Sequence, residues 1–94
     1  LYPKITKDLS FIVDRKFSFN EIKETILDYG TTYLKNIQLL DEYQGSSIPD
    51  YQTSLCIQLT FQSNEKTLMT KEIDEILTKL SELLKTQYDI NIRI

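Results

Sequence analysis

The sequence lacks histidine, alanine and tryptophan, and its 94 residues include one cysteine, one methionine and two glycines. The lone thiol, Cys56, excludes an internal disulfide and a cysteine-based zinc cluster. Without histidine, the chain also lacks the commonest general base and metal ligand. No apolar run approaches the ~20 residues that cross a bilayer, and no signal-peptide core is visible. These absences argue against an ordinary catalytic site and against a membrane segment.

What is present is typical of one small globular domain over residues 1–94, with 40% hydrophobic and 27% charged residues and a net charge of −3. The chain begins at Leu1 and its only methionine is Met69, so we expect a C-terminal piece of a longer protein. Abundant Ile, Lys, Asn and Tyr beside no alanine indicate an AT-rich coding genome. A plastid or low-GC bacterial source, and hence the plastid stroma or a cytoplasm, follows as the expected location.

The first third of the chain carries clear strand and helix signals. Alternating apolar residues predict a strand at Leu9–Val13. Ser18 with Glu21 three residues later forms a capping box, which predicts a helix over 19–29. Gly30 is placed to end that helix as its left-handed residue.

The remainder predicts two strands, a helix and a last strand. Residues 33–43 have strand composition, broken near Leu40-Asp41, and residues 45–50 have loop composition. Residues 51–62 alternate apolar and uncharged polar side chains, as in a strand with one wet face. Thr70 is predicted to cap the second helix, and Asp89–Ile94 alternates as a closing strand.

The predicted order βαββαβ indicates an α+β, ferredoxin-like fold. In it, two helices pack on one face of a four-stranded antiparallel sheet, and the other face stays open. The name describes shape only, because one cysteine cannot hold an iron–sulfur cluster.

Candidate catalytic chemistry is weak in this pattern. The carboxylates fall on solvent-facing positions, and Cys56 has no neighbouring imidazole or cation to lower its pKa. Acylphosphatases share the topology, but residues 14–17 after the first strand do not resemble their glycine-rich phosphate loop. We therefore predict no catalytic and no metal-ligating residue, and no cofactor bound by this domain.

Several short motifs resemble the ferredoxin-fold anticodon-binding domain that closes the beta subunit of phenylalanine–tRNA ligase, of bacterial or plastid type. The motifs occur in one register from Tyr2 onward: Tyr2-Pro3, Lys7–Asp14, Leu40–Gly45, Ile48-Pro49, Thr53–Leu55, Leu59–Ser63 and Glu65–Leu68. The resemblance implies that the domain binds the anticodon stem-loop of tRNA(Phe), while aminoacylation with ATP and Mg²⁺ occurs elsewhere. It also implies an α2β2 enzyme with an alpha subunit as partner, and no membrane.

The RNA contacts are predicted from the alternation of strand residues between the two faces of the sheet and from charge. The alternation places Ser10, Gln58, Gln62 and Arg93 on the open face, and Lys7 and Lys35 are added because they are positively charged. Relatives commonly carry Arg where this chain has Gln58 and Gln62, and Lys-Lys where it has Gln52-Thr53. Fewer cations predict weaker phosphate contact, by about 0.7 in salt slope per lost contact.

Two other interpretations stay open. The same βαββαβ order occurs in ACT-type modules, which dimerise and bind a small regulatory molecule at the interface. Their glycine-containing turn after the first strand is absent here, where residues 14–17 read Asp-Arg-Lys-Phe. The domain could also serve mainly to pack subunits together.

Overall fold

The structure of the chain, a computed structural model, describes residues 2–29 and 32–93. Its elements are strand β1 (Ile5–Asp14), helix α1 (Phe19–Asp28), strand β2 (Leu34–Tyr43), strand β3 (Gln52–Phe61) and helix α2 (Thr70–Tyr88). The three strands form an antiparallel sheet in the order β1-β3-β2. The order of these elements along the chain, β1-α1-β2-β3-α2, confirms the predicted order up to the second helix.

The two sides of the sheet differ because β3, its central strand, alternates without interruption. Every second residue of β3 is buried, from Thr53 to Phe61, and the residues between them are half-buried. The buried side chains join those of β1 and of both helices in one hydrophobic core. Both helices therefore cover the same face of the sheet, as predicted, and the opposite face carries none of the core residues.

Helix α1 begins at the predicted capping box. The backbone N–H of Glu21 donates to Ser18 Oγ over 3.1 Å, and the backbone N–H of Ser18 donates to Glu21 Oε1 over 3.2 Å. These bonds satisfy donors that the first helical turn leaves unpaired. The helix ends at Asp28 with Tyr29 as its C-cap. Gly30, the predicted terminating residue, lies outside the described residues.

The predicted cap of α2 is wrong by one residue. Thr70 is the first helical residue and Met69 is the N-cap. Instead of a hydroxyl, the carboxylate of Glu72 accepts the backbone N–H of Met69 over 2.9 Å. At the other end, Asp89 takes a left-handed conformation with φ 56, which short polar residues tolerate. The chain turns back toward the sheet at this residue.

The predicted fourth strand is only partly formed among the described residues. After the turn at Asp89, the chain meets β1 through a single antiparallel bridge between Ser10 and Arg93. The two residues exchange both backbone hydrogen bonds, of 3.1 and 2.8 Å. The alternation of Ile90 and Ile92 reflects burial, since Ile90 is 1% exposed and Ile92 packs against the core. Alternating burial does not by itself require a ladder of hydrogen bonds, so the described sheet has three strands and one bridge.

Candidate nucleic-acid interface

The candidate site is the sheet face that the helices leave bare, which we call the open face. In an antiparallel sheet, residues paired across strands point to the same side. The pairs between β1 and β3 and between β2 and β3 therefore place a set of mostly small polar side chains on this face. The set is Thr6, Asp8, Ser10, Ile12, Asp14, Asn36, Gln38, Asp41, Tyr43, Gln52, Ser54, Cys56, Gln58 and Thr60.

Four of the six predicted contact residues lie on or next to the open face. Ser10 pairs with Cys56, and Gln58 pairs with both Asp8 and Gln38. Arg93 pairs with Ser10 from outside the sheet. Gln62 continues the parity of β3 one residue beyond its end and is half-buried. The structure thus brings these polar groups together across the sheet, although contact with RNA stays a prediction.

The side-chain amides of the two glutamines predicted to contact RNA, Gln58 and Gln62, are held by hydrogen bonds. Gln58 Nε2 donates to Asp8 Oδ1 over 3.0 Å, directly across the β1–β3 ladder. Gln62 Nε2 donates to the backbone oxygen of Tyr2 over 2.6 Å. Each amide thereby uses its NH₂ end inside the protein. The face presents polar groups in defined orientations, as recognition of a base edge requires.

The two predicted lysines are placed differently. Lys7 pairs with the buried Leu59, so its stem is directed to the helix-covered side, and it is half-buried. Lys35 is exposed in a bulge at the start of β2 and donates from Nζ to the Thr32 carbonyl over 3.2 Å. Of the two, Lys35 is the exposed one, with its ammonium group beside the segment that precedes β2.

Sequence reasoning missed Asp41 and Tyr43 as members of the open face. Ile37 and Leu39 pair with buried residues of β3, and unbroken alternation would also send Asp41 and Tyr43 inward. A bulge between Leu39 and Asp41 shifts the register by one residue and turns both outward. The bulge confirms the break predicted near Leu40-Asp41, but its effect on the direction of Asp41 and Tyr43 was not predicted.

Tyr43 is the aromatic group of this face. It is 52% exposed and pairs with Ser54. Its ring lies against Gly45, where a Cβ would overlap the tyrosine hydroxyl and the adjoining ring atoms. Gly45 therefore leaves room for the ring, about half of which is exposed to solvent.

Charge is distributed unevenly between the two layers. Helices α1 and α2, with the cap Asp89, carry eight of the fourteen acidic residues and four of the eleven basic ones, a formal charge of −4. The rest of the chain carries +1. Three lysines, Lys4, Lys7 and Lys35, lie toward the end of the sheet where β3 finishes, and Lys66 after β3 is paired with Glu72 of α2. A polyanion is thus repelled by the helices and tolerated by the sheet side.

The shifted titrating groups lie at the ends of α2, away from the open face. The ammonium of Lys66 and the N–H of Met69 lower the pKa of Glu72, and Glu72 in turn raises the pKa of Lys66. Lys85 lowers the pKa of Asp89 through a hydrogen bond across one helical turn. These pairs stabilise the beginning and the end of α2. They offer no acid–base pair near the open face.

Residues 2–29 and 32–93 contain no group of three or more His, Cys, Asp or Glu that could hold a metal ion. Neither described helix is long and apolar enough to cross a membrane. A cavity of about 670 Å³ lies beside the start of α1, with Phe17, Phe19 and Glu42 among its lining residues, none of which belongs to the open face.

A ferredoxin-like sheet with one covered face and one polar, hydrogen-bonding face defines a binding domain. The family model described as "Ferredoxin-fold anticodon binding domain" matches residues 1–93, and the chain belongs to this family. The resemblance inferred from the sequence motifs is thereby confirmed.

Curated relatives are beta subunits of phenylalanine–tRNA ligase. The chain is 50% identical over 93 residues to the chloroplastic one of Phaeodactylum tricornutum, covering 99% of this chain and 13% of the relative. It is 32% identical over 92 residues to that of Trichormus variabilis, covering 98% of this chain and 11% of the relative. For Listeria monocytogenes the identity is 33% over 92 residues, with 98% and 12% covered. The chain therefore spans about an eighth of the length of these relatives.

Proposed function

We propose that the open face binds the anticodon stem-loop of tRNA(Phe). The observation that carries this proposal is the concentration of fixed amides, hydroxyls and one exposed tyrosine on a face that no described element covers. Single-stranded RNA is recognised by stacking of unpaired bases and by hydrogen bonds to their edges. The open face offers both kinds of contact without a strongly basic surface.

Phosphate contact falls to the rim in this proposal. The middle of the face holds two carboxylates, Asp8 and Asp41, and Arg93 pairs with Ser10 at its border. The lysines at the β3 end, with Lys35 foremost, supply further positive charge. The RNA stem would then lie toward that rim, and the single-stranded loop would cross the sheet toward Tyr43.

The wider role rests on the family. We propose that the chain is a single binding domain of a longer beta subunit, which pairs with an alpha subunit in an α2β2 phenylalanine–tRNA ligase. The ligase would use ATP and Mg²⁺ at a distant centre, and this domain would orient tRNA(Phe) toward it. The chloroplastic and bacterial relatives favour a plastid stroma or a cytoplasm as its location.

An NMR titration tests the interface. The isotope-labelled chain would be titrated with a tRNA(Phe) anticodon stem-loop at low and moderate salt, beside a stem-loop with a scrambled loop. We expect cognate-specific shifts at Ser10, Gln58 and Tyr43. Gln58→Ala should weaken binding, whereas Gln87→Ala, an exposed glutamine of α2, should not.

Three results would contradict the proposal. Shifts confined to the helices would show that RNA contacts the helical layer and not the open face. No shift at millimolar RNA would indicate a domain that packs subunits or binds only inside the whole ligase. Dimerisation with rising concentration in sedimentation would instead favour the ACT-type interpretation.

A further inference from the structure

Asp8 is a motif residue whose side chain has a defined partner in the structure. It lies opposite Gln58 in the β1–β3 ladder, and both side chains are on the open face. Its Oδ1 accepts the Gln58 Nε2 hydrogen bond of 3.0 Å. Its sequence neighbours, Lys7 and Leu9, lie on the opposite, helix-covered face of the strand, where Leu9 is fully buried. Asp8 is therefore not needed for the core, and its visible contact is with a candidate RNA-reading group.

The contact determines which end of the Gln58 amide faces outward. An ionised carboxylate only accepts hydrogen bonds, so it can bond the NH₂ end of the amide and repels the carbonyl end. Without such a partner, the last torsion of a glutamine is broad and roughly two-fold, and the two ends exchange places. Among the described residues, Gln58 Oε1 has no hydrogen-bond partner of its own. With Asp8 in place, Oε1 is left as an acceptor for a ligand.

We propose that Asp8 is a positioning residue that gives the open face its base preference, by holding Gln58 with Oε1 toward the RNA. The preferred base at this position is one whose edge offers an N–H donor to Oε1. This inference rests on the proposed RNA-binding function. It adds a specificity role to a residue that itself repels phosphate.

The test is Asp8→Asn in this chain. Asparagine can either accept from or donate to the Gln58 amide, so the pair survives but the orientation of the amide is released. Binding would be measured for the cognate stem-loop and for loops with one base replaced at a time. We expect the preference for the best base at one loop position to fall on the order of fivefold, the worth of one hydrogen bond.

Two variants separate positioning from charge. Asp14→Asn removes the same charge from the same face, and its side-chain oxygen can still accept the Lys16 N–H that Asp14 Oδ1 accepts over 2.9 Å. It should change affinity at low salt and leave the base preference intact. Gln58→Met removes the amide, and adding Asp8→Asn to it should cause no further loss of preference.

The inference fails if Asp8→Asn changes affinity as Asp14→Asn does and keeps the wild-type base preference. It also fails if the wild-type chain binds at the open face with equal affinity for every loop. Both results leave the proposed function standing, because shifts at the open face report on that separately. Absence of RNA binding to the wild-type chain would remove the function and the inference together.

Discussion

The ring of Tyr43 occupies the space where Gly45 would carry a side chain. The residues are two apart in the chain, at the end of β2 and the start of the following loop. A Cβ on Gly45 would overlap the tyrosine hydroxyl. Glycine at this position is therefore explained by the room that the Tyr43 ring needs.

Gly45→Ala should displace the Tyr43 ring and weaken RNA binding. Stacking of a base on an aromatic side chain is worth about 1–3 kcal/mol, so the affinity should fall toward that of Tyr43→Ala. Because the tyrosine is 52% exposed, the free energy of unfolding should change by less than about 1 kcal/mol. Calorimetric titration with the stem-loop and urea unfolding measure the two quantities.

Ser46→Ala is the matched control, since Ser46 is exposed in the same loop. It should leave both the affinity and the stability unchanged. Wild-type affinity in Gly45→Ala would mean that the Tyr43 ring does not contact the RNA.

The fold was predictable from sequence where the hydrophobic pattern was unbroken. The strict alternation of β3 and the capping box of α1 each depend on local chemistry, and both are present as predicted. The orientation of Asp41 and Tyr43 was not predictable from parity, because the bulge after Leu39 depends on pairing with β3. The contact between Asp8 and Gln58 joins residues fifty positions apart in the chain, and only the register reveals it.

The two predicted lysine contacts should differ in their salt dependence. Lys35→Gln should reduce the slope of log affinity against log salt by about 0.7, the value for one phosphate contact on a single strand. Lys7→Gln should reduce it less, because Lys7 is half-buried and lies on the helix-covered side, opposite the buried Leu59. Fluorescence anisotropy over a series of salt concentrations gives both slopes. Equal slopes for the two variants would contradict the assignment of the rim to Lys35.

The segment after α2 should be anchored by burial more than by strand pairing. Ile90 is 1% exposed, so Ile90→Ala should lower the free energy of unfolding by about 2–5 kcal/mol. Asn91→Ala, an exposed neighbour, should have little effect. Urea unfolding of the two variants measures this difference.

Amide exchange tests the single bridge in the same region. The backbone N–H of Ser10 is bonded to Arg93 and should exchange slowly, whereas that of Ile12, on the same outer edge of β1, should exchange faster. Slow exchange of both amides would mean that a full fourth strand forms in solution.

The pair formed by Lys66 and Glu72 should give the domain a small acid-dependent loss of stability. Lys66 holds the pKa of Glu72 below its ordinary value in the folded state, with the Met69 N–H adding to the effect. A carboxyl with a lowered folded pKa contributes stability above its unfolded pKa, and the contribution is lost as the pH falls through the folded pKa. The loss should therefore appear below about pH 4.

Glu72→Gln should flatten that part of the stability curve, which urea unfolding between pH 7 and about pH 3 would measure. Glu75→Gln, in an exposed position of the same helix, serves as the control because Glu75 pairs with no described residue. High salt should reduce the acid-dependent loss of stability in the wild-type chain, since Lys66 and Glu72 are both accessible to solvent. An unchanged pH dependence in Glu72→Gln would show that the pair at the start of α2 contributes nothing to the stability of the fold.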